Sequence, residues 1–339
     1  MYISTAGSGA SNLTVSNNVI SSYLSVSQST LGDTSVTGNV VSADRNGRNT
    51  FYSNARGRLY GLRVDAGSNP ATPAPTVTSN AVNGADFAFN FRGANLKPAQ
   101  ITNNTGTGNT ANVAAYGGIL TGNLSLGPND PGPKFVVDSA DCFESPFGGL
   151  TVGSGTTMTV APGTALKVLN GLTGSGIGFG GCDFGTKSTL TVNGTLVASG
   201  TQADPVVLTT IKDDTVGGDT GGDGNATSPG TLDWGGITIS NGRGVMSWAR
   251  LAGTTAPLAV SSGTLAIRGK WLGPKIMACG WSAGTCFVDA SRVDWGTTAG
   301  PFEDPESPLA CGAVLVFQWV GASAGDSNAY QTGSCSAQA

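Results

Sequence analysis

The feature that most constrains this chain is a repeated grammar: a short β-run, a Gly or Asn turn, then a second β-run. It reads off at 12–20, 34–41, 76–82, 101–105, 150–160, 190–197, 234–239 and 264–267. These segments recur about every 20 to 30 residues, the length of one coil of a three-sided β-helix. Each coil turns alternate Val, Leu, Ile and Phe side chains inward and cannot bury them alone, so its neighbours complete the core. Roughly a dozen coils fit the chain. At about 4.8 Å between stacked strands, they predict a rod on the order of 55 Å long.

Composition agrees. Of 339 residues 53 are Gly, charged residues make up only 11%, and Glu occurs only at Glu144, Glu303 and Glu306. Gly with Ser, Asn and Asp supplies turns, and Val, Thr and Ile supply strands. Apolar residues reach 39% and sit in short alternating runs, which separates the chain from a disordered Gly/Ser/Thr linker. Length alone suggests two domains. The same grammar resumes on both sides of the Pro-rich stretches 69–75 and 127–133, so these read as projecting loops of one solenoid. Coils are expected over 1–300 and a capping segment of the same domain over 301–339. Asn17, Asn18, Asn80, Asn103 and Asn104 are placed to tolerate left-handed turns and to stack into hydrogen-bonded ladders.

Several function classes fall away. A net charge of −4 with scattered Lys and Arg argues against nucleic-acid binding, which needs clustered cations. The chain has no histidine, which removes His general acid–base chemistry, a Ser-His-Asp triad and His-ligated zinc. No apolar run approaches the roughly 18 residues of a membrane span. The start, Met1 to Thr5, lacks the charged and apolar regions of a signal peptide. Six cysteines and this composition nevertheless look extracellular. A fragment, or a mature segment given an initiator Met, is therefore expected, and a monomer.

The stretch 150–236 carries a family resemblance. It holds Leu150-Thr151-Val152, then Gly155-Thr156-Thr157-Met158-Thr159-Val160-Ala161-Pro162-Gly163-Thr164, then Leu190-Thr191-Val192-Asn193-Gly194-Thr195-Leu196-Val197-Ala198-Ser199-Gly200-Thr201. It continues through 205–214, a Gly/Asp loop and Asp233-Trp234-Gly235-Gly236-Ile237. This resembles the coils of bacterial secreted right-handed parallel β-helix proteins of the pectate-lyase-like superfamily. The segments 101–109 and 288–301 resemble a preceding coil and the terminal segment of the same proteins, although Val293-Asp294-Trp295 stands where that terminal pattern often has aromatics and Asn. The resemblance implies a right-handed β-helix exported from the cell. Such coils serve adhesins, large surface proteins and enzymes alike, so fold does not name the activity.

The sharpest chemical feature is the loop 213–224, Asp-Asp-Thr-Val-Gly-Gly-Asp-Thr-Gly-Gly-Asp-Gly. Asp214, Asp219 and Asp223 with backbone carbonyls suit calcium, which takes six to eight oxygens. An EF-hand is rejected, because Gly221 holds the middle ligand position and no Glu follows where one is needed. The alternative is a solvated acidic turn. Among the cysteines, adjacency suggests Cys279–Cys286 as a loop clip and Cys311–Cys335 as a pin for the tail, while Cys142 and Cys182 either meet through an intervening loop or stay free. Trp234, Trp248 and Trp271 are candidates for stacking on sugar rings, whereas Trp281 and Trp295 are expected to cover the end of the core. The resulting reading is a non-catalytic adhesive or glycan-binding module on the cell surface or outside it, with a polysaccharide or host glycan as partner. A lyase would need calcium with a base from Lys212, Arg243 or Arg250. A glycoside hydrolase would draft Asp213, Asp214 and Asp233. An ice binder would need straight Thr columns, and the T-x-T pattern does not recur at a fixed coil length.

Overall fold

The computed structural model describes residues 1–5, 9–43, 60–138, 149–169, 187–256, 258–274, 276–278, 286–295, 310–316 and 329–333, with 277, 310–316 and 329–333 as backbone only. Within these the chain is all-β. Its one described helix is the 3-10 turn Pro98–Gln100, and no described helix is long and apolar enough to cross a membrane.

The strands pair in parallel over most of the chain. In the first ladder Tyr2 pairs with Ser25, Ser25 with Arg63, Arg63 with Asn90, Asn90 with Ala115, Ala115 with Val136, Val136 with Lys167 and Lys167 with Thr209. A second ladder stacks Leu13–Ser16, Thr34–Thr37, Thr76–Thr78 and Ile101–Thr102. A third stacks Val19–Ile20, Val40–Ser42, Ala81–Asn83 and Thr105–Thr107. Up to Thr107 each stretch of chain thus gives one strand to each ladder before returning to the first, a pattern compatible with a β-helix. The segments read as rungs at 12–20, 34–41, 76–82 and 101–105 each supply a strand pair to the second and third ladders.

Side chains alternate across the strands, as a pleat requires. Val15, Val36 and Val77 are buried in one column and Val41 and Val82 in another, while Val64, Phe91, Tyr116, Val137 and Val168 continue a third. Aromatic rings fill the middle of the core: Phe91 meets Tyr116 edge-on at 5.2 Å, and Tyr116 stacks on Phe135 at 4.6 Å.

An asparagine ladder holds one corner. Asn18 Nδ2 donates to Asn39 Oδ1, Asn39 Nδ2 to Asn80 Oδ1 and Asn80 Nδ2 to Asn104 Oδ1, each at 2.9 Å. Asn18, Asn80 and Asn104 were readable as ladder residues, and Asn39 joins them. The residue before each one is left-handed: Asn17, Gly38, Ser79 and Asn103 have φ of 56°, 65°, 59° and 57°. The steps of this ladder are 21, 41 and 24 residues. The long step includes residues 44–59, outside the described set. The separation in sequence between stacked asparagines therefore varies, and the spatial register does not.

Two strands are longer than the sequence pattern indicates. Ile237–Leu251 pairs in succession with Thr189–Val192, Thr195–Ser199 and Val206–Thr210, turning corners through register shifts near Ser240 and at Trp248. Leu258–Leu272 lies against it in parallel. Near the C-terminus Ala310–Val316 continues the parallel ladder on Ile276–Ala278 and Cys286–Asp289, and Ala329–Gly333 pairs with its other edge antiparallel.

The outward face of the first ladder is not solvated throughout. Asn90, Ala115, Val136, Lys167 and Thr209 point away from the core, yet all are buried. Asp138 lies on this side. Its Oδ2 accepts from Arg92 Nε at 2.6 Å and from Asn90 Nδ2 at 2.8 Å. A second apolar cluster, including Ala111, Val113, Ala115, Val136, Leu169 and Ile211, lines the same face.

Candidate functional site

The acidic loop leaves the strand Val206–Thr210 and folds back over that outward face. A side chain at Gly217 would meet Ala165 Cβ at 2.9 Å and Lys167 Cε at 3.6 Å, and one at Gly222 would meet the Thr110 backbone oxygen at 2.5 Å. The glycines thus let the loop lie flat from Lys167 to Thr110, over the buried ladder. Lys167 anchors it from below: the ammonium donates to the carbonyls of Asp213 at 2.7 Å and Gly218 at 2.6 Å. Burial pushes the Lys167 pKa down, against the pull of Asp214, Asp213 and Asp219.

The loop brings together the three carboxylates expected from sequence. One ligand oxygen from each of Asp214, Asp219 and Asp223 lies within 4.8 Å of the others. Asp219 accepts backbone N–H groups from Gly222 at 2.6 Å and Gly224 at 2.8 Å. Burial raises its pKa, but these donors outweigh burial and hold it below the ordinary carboxylate range. Asp223 Oδ2 accepts from the Thr227 hydroxyl at 2.6 Å. Both carboxylate oxygens of Asp214, and Asp223 Oδ1, are shielded from solvent with no hydrogen-bond donor. Burial, then repulsion from Asp219 and Asp223, pushes the Asp214 pKa up.

The other residues drafted for chemistry are placed differently. Asp213 Oδ2 accepts from the Thr209 hydroxyl at 3.0 Å, and Asp233 pairs with Lys212 Nζ at 2.6 Å and accepts the Gly230 N–H at 2.7 Å. Arg243 is exposed and paired in register with Thr195 and Thr264. Arg250 is exposed, two residues from Trp248. The cation that meets the acidic loop is Lys167, which sequence reasoning missed. In Ala165-Leu166-Lys167-Val168 it occupies an outward position that reads as solvated, and no local signal shows that a loop returns to cover it.

The tryptophans divide. Trp234 and Trp271 are buried, at 0% and 2% exposure, with Nε1 donating to the carbonyls of Ala252 at 2.8 Å and Pro274 at 3.2 Å. Their rings are core and offer no face to a sugar, which corrects the expectation for both. Trp295 is also buried, and Trp281 lies outside the described residues. Trp248 is different. It sits at a register shift between Ser247 and Ala249 with φ of 44°, a left-handed conformation unusual for a large side chain. Such bulges re-aim side chains and gather next to binding sites. The ring packs over Gly269, where a Cβ would fall 2.5 Å from Nε1. With Gln202, Pro205, Arg250, Lys270, Leu272 and Asp294 it lines a groove of about 350 Å³. Lys270 pairs with Asp294 at 3.2 Å on that wall.

Of the six cysteines, Cys286 alone has a described side chain. It is half-buried on the strand Cys286–Asp289, against the core. Cys311 is described as backbone, and Cys142, Cys182, Cys279 and Cys335 lie outside the described residues, as does every suggested pairing. Comparison with protein-family profiles, with curated proteins and with solved structures gives no match.

Proposed function

We propose that this chain is a right-handed parallel β-helix of the pectate-lyase-like kind, exported or held on a cell surface, and that it binds glycans in adhesion without turning them over. The observation that carries the reading is the Trp248 groove. A half-exposed indole is set on a bulge, its flat apolar face edged by an amide, two cations and a carboxylate. An aromatic platform with a few convergent polar groups is what a ligand groove needs. The stacked parallel ladders support the architecture. Asp213 is held by the Thr209 hydroxyl and Asp233 is paired with Lys212, which argues against the hydrolase and lyase sets built on them.

A glycan array with the wild-type chain and Trp248→Gly tests this. Gly accepts the left-handed backbone, so the variant should keep its circular dichroism while glycan affinity drops at least tenfold. Unchanged binding by the variant would sink the groove reading. Release of unsaturated products from a uronic-acid polysaccharide would sink the non-catalytic one.

One observation favours a second reading, ice binding. Outward Ser and Thr side chains align in two columns of the second ladder: Ser16, Thr37, Thr78 and Thr102, and beside them Thr14, Ser35 and Thr76. Sequence spacing hides these columns because the coils differ in length. Thermal hysteresis of a dilute solution tests it, and Thr37→Lys should abolish any that is found.

A further inference from the structure

We propose that the 213–224 loop holds one calcium ion on Asp214, Asp219 and Asp223, and that the ion clips the loop across the neighbouring coils. The site is separate from the Trp248 groove, and the proposal stands whether or not that groove binds glycans.

The argument rests on which oxygens the loop leaves unserved. Asp219 receives backbone N–H groups on both oxygens, Asp223 Oδ2 receives Thr227, and Asp213 receives Thr209 and Thr215. Asp214 Oδ1 and Oδ2 and Asp223 Oδ1 receive nothing and are closed to water. Thr220, between Asp219 and Gly221, is 6% exposed and its hydroxyl also lacks a partner. Buried acceptors without donors are costly and call for a missing ligand or ion. Lys167 gives these oxygens no hydrogen bond; its ammonium donates to the Asp213 and Gly218 carbonyls.

The geometry fits a cation. Oxygens that share an ion with bonds of about 2.4 Å lie no more than about 4.8 Å apart, and the three carboxylates meet that limit. Gly221 completes the cradle: a Cβ there would stand 3.7 Å from Asp219 Oδ1, 3.8 Å from Asp223 Cγ and 3.2 Å from the Ile211 carbonyl oxygen. All-oxygen donors select a hard cation, and a loop of glycines suits the tolerant coordination of calcium better than the strict octahedron of magnesium.

The test uses the whole chain, freed of metal with EGTA, in thermal melts with CaCl2 or MgCl2 added and with metal content measured after dialysis. Calcium should raise the melting temperature saturably by a few degrees and be retained at one ion per chain. Chelation should open the loop to protease cleavage. Asp214→Asn should lose the calcium response yet melt no lower than wild type in EGTA, because it removes a charge repelled by Asp219 and Asp223. Asp130→Asn, a carboxylate elsewhere, should keep the response. No calcium binding at millimolar concentration, an equal response to magnesium, or a full response from Asp214→Asn would each overturn the assignment. If Asp214→Asn fails to fold, the dialysis stoichiometry of the wild type decides.

Discussion

Asn80 shows how much one residue can organise. Its amide nitrogen serves Val36 and Thr78 carbonyls and the Asn104 side chain, while its oxygen accepts both the backbone and side-chain N–H of Asn39. Asn80→Leu keeps the volume and strands these groups inside the stack. At about 1–3 kcal/mol for a buried group left unserved, the variant should lose about 3 kcal/mol or more, read from the shift of its urea midpoint. The Asn-Asn pairs at 17–18 and 103–104 advertise this role in the sequence. Asn39 does not, because Gly38 supplies the left-handed turn and breaks the pattern. The aspartates give a second residue-scale prediction. Asp214 has a raised pKa, so its ionised form opposes folding and the cost is relieved as pH falls through its titration. Asp219 and Asp289 are held low despite burial, by backbone N–H groups and by Arg268 respectively. Their contribution is present above the ordinary carboxylate range and is lost as pH falls through their lowered values. In EGTA the urea midpoint should therefore rise on mild acidification from pH 7 and then fall. Asp214→Asn should show only the fall.

At the scale of the element, the strand Phe87–Leu96 is the instructive one. Its stretch Phe89-Asn90-Phe91-Arg92 turns the two Phe rings into the core and Asn90 and Arg92 to the outward side, where a solvated face would leave them in water. Both are buried instead, and Arg92 meets Asp138 at 2.6 Å with 3% and 1% of the two side chains exposed. Removing one partner of such a pair leaves an uncompensated buried charge, which typically costs about 3–5 kcal/mol. Arg92→Met should lose that much in chemical denaturation. Asp138→Asn keeps one acceptor oxygen but leaves the buried Arg92 guanidinium without its counter-charge, so it should lose a similar amount. The repeat read from sequence passes over this strand, between its rungs at 76–82 and 101–105. Its alternation also breaks at a register shift, where Phe87 joins the outward cluster and Ala88 the core, and the burial of Asn90 and Arg92 comes from segments far away in the chain, which no local pattern encodes.

For the whole molecule, the parallel strand stack was legible because each coil repeats the same local instruction. The candidate site was legible in part. Asp214, Asp219 and Asp223 announce themselves by spacing in a Gly-rich loop, while Lys167, Gln202, Lys270 and Asp294 are brought to their places by register alone. Tryptophan identity said little, since Trp234 and Trp271 fill the core and, among the described tryptophans, the bulge at Trp248 alone turns a ring outward. The steps of 21, 41 and 24 residues between stacked asparagines have a further consequence. Distance along the axis is counted in strands, and residues outside the strands do not enter the count. A two-residue insertion at Asn69–Pro75 should leave the melting temperature within a degree or two, whereas one extra residue in Thr76–Thr78 should flip Val77 outward and collapse the stack. The fold therefore separates two kinds of heredity. Its strands are copied under strict constraint, while its excursions are free to lengthen, diverge and acquire new partners without renegotiating the scaffold that carries them.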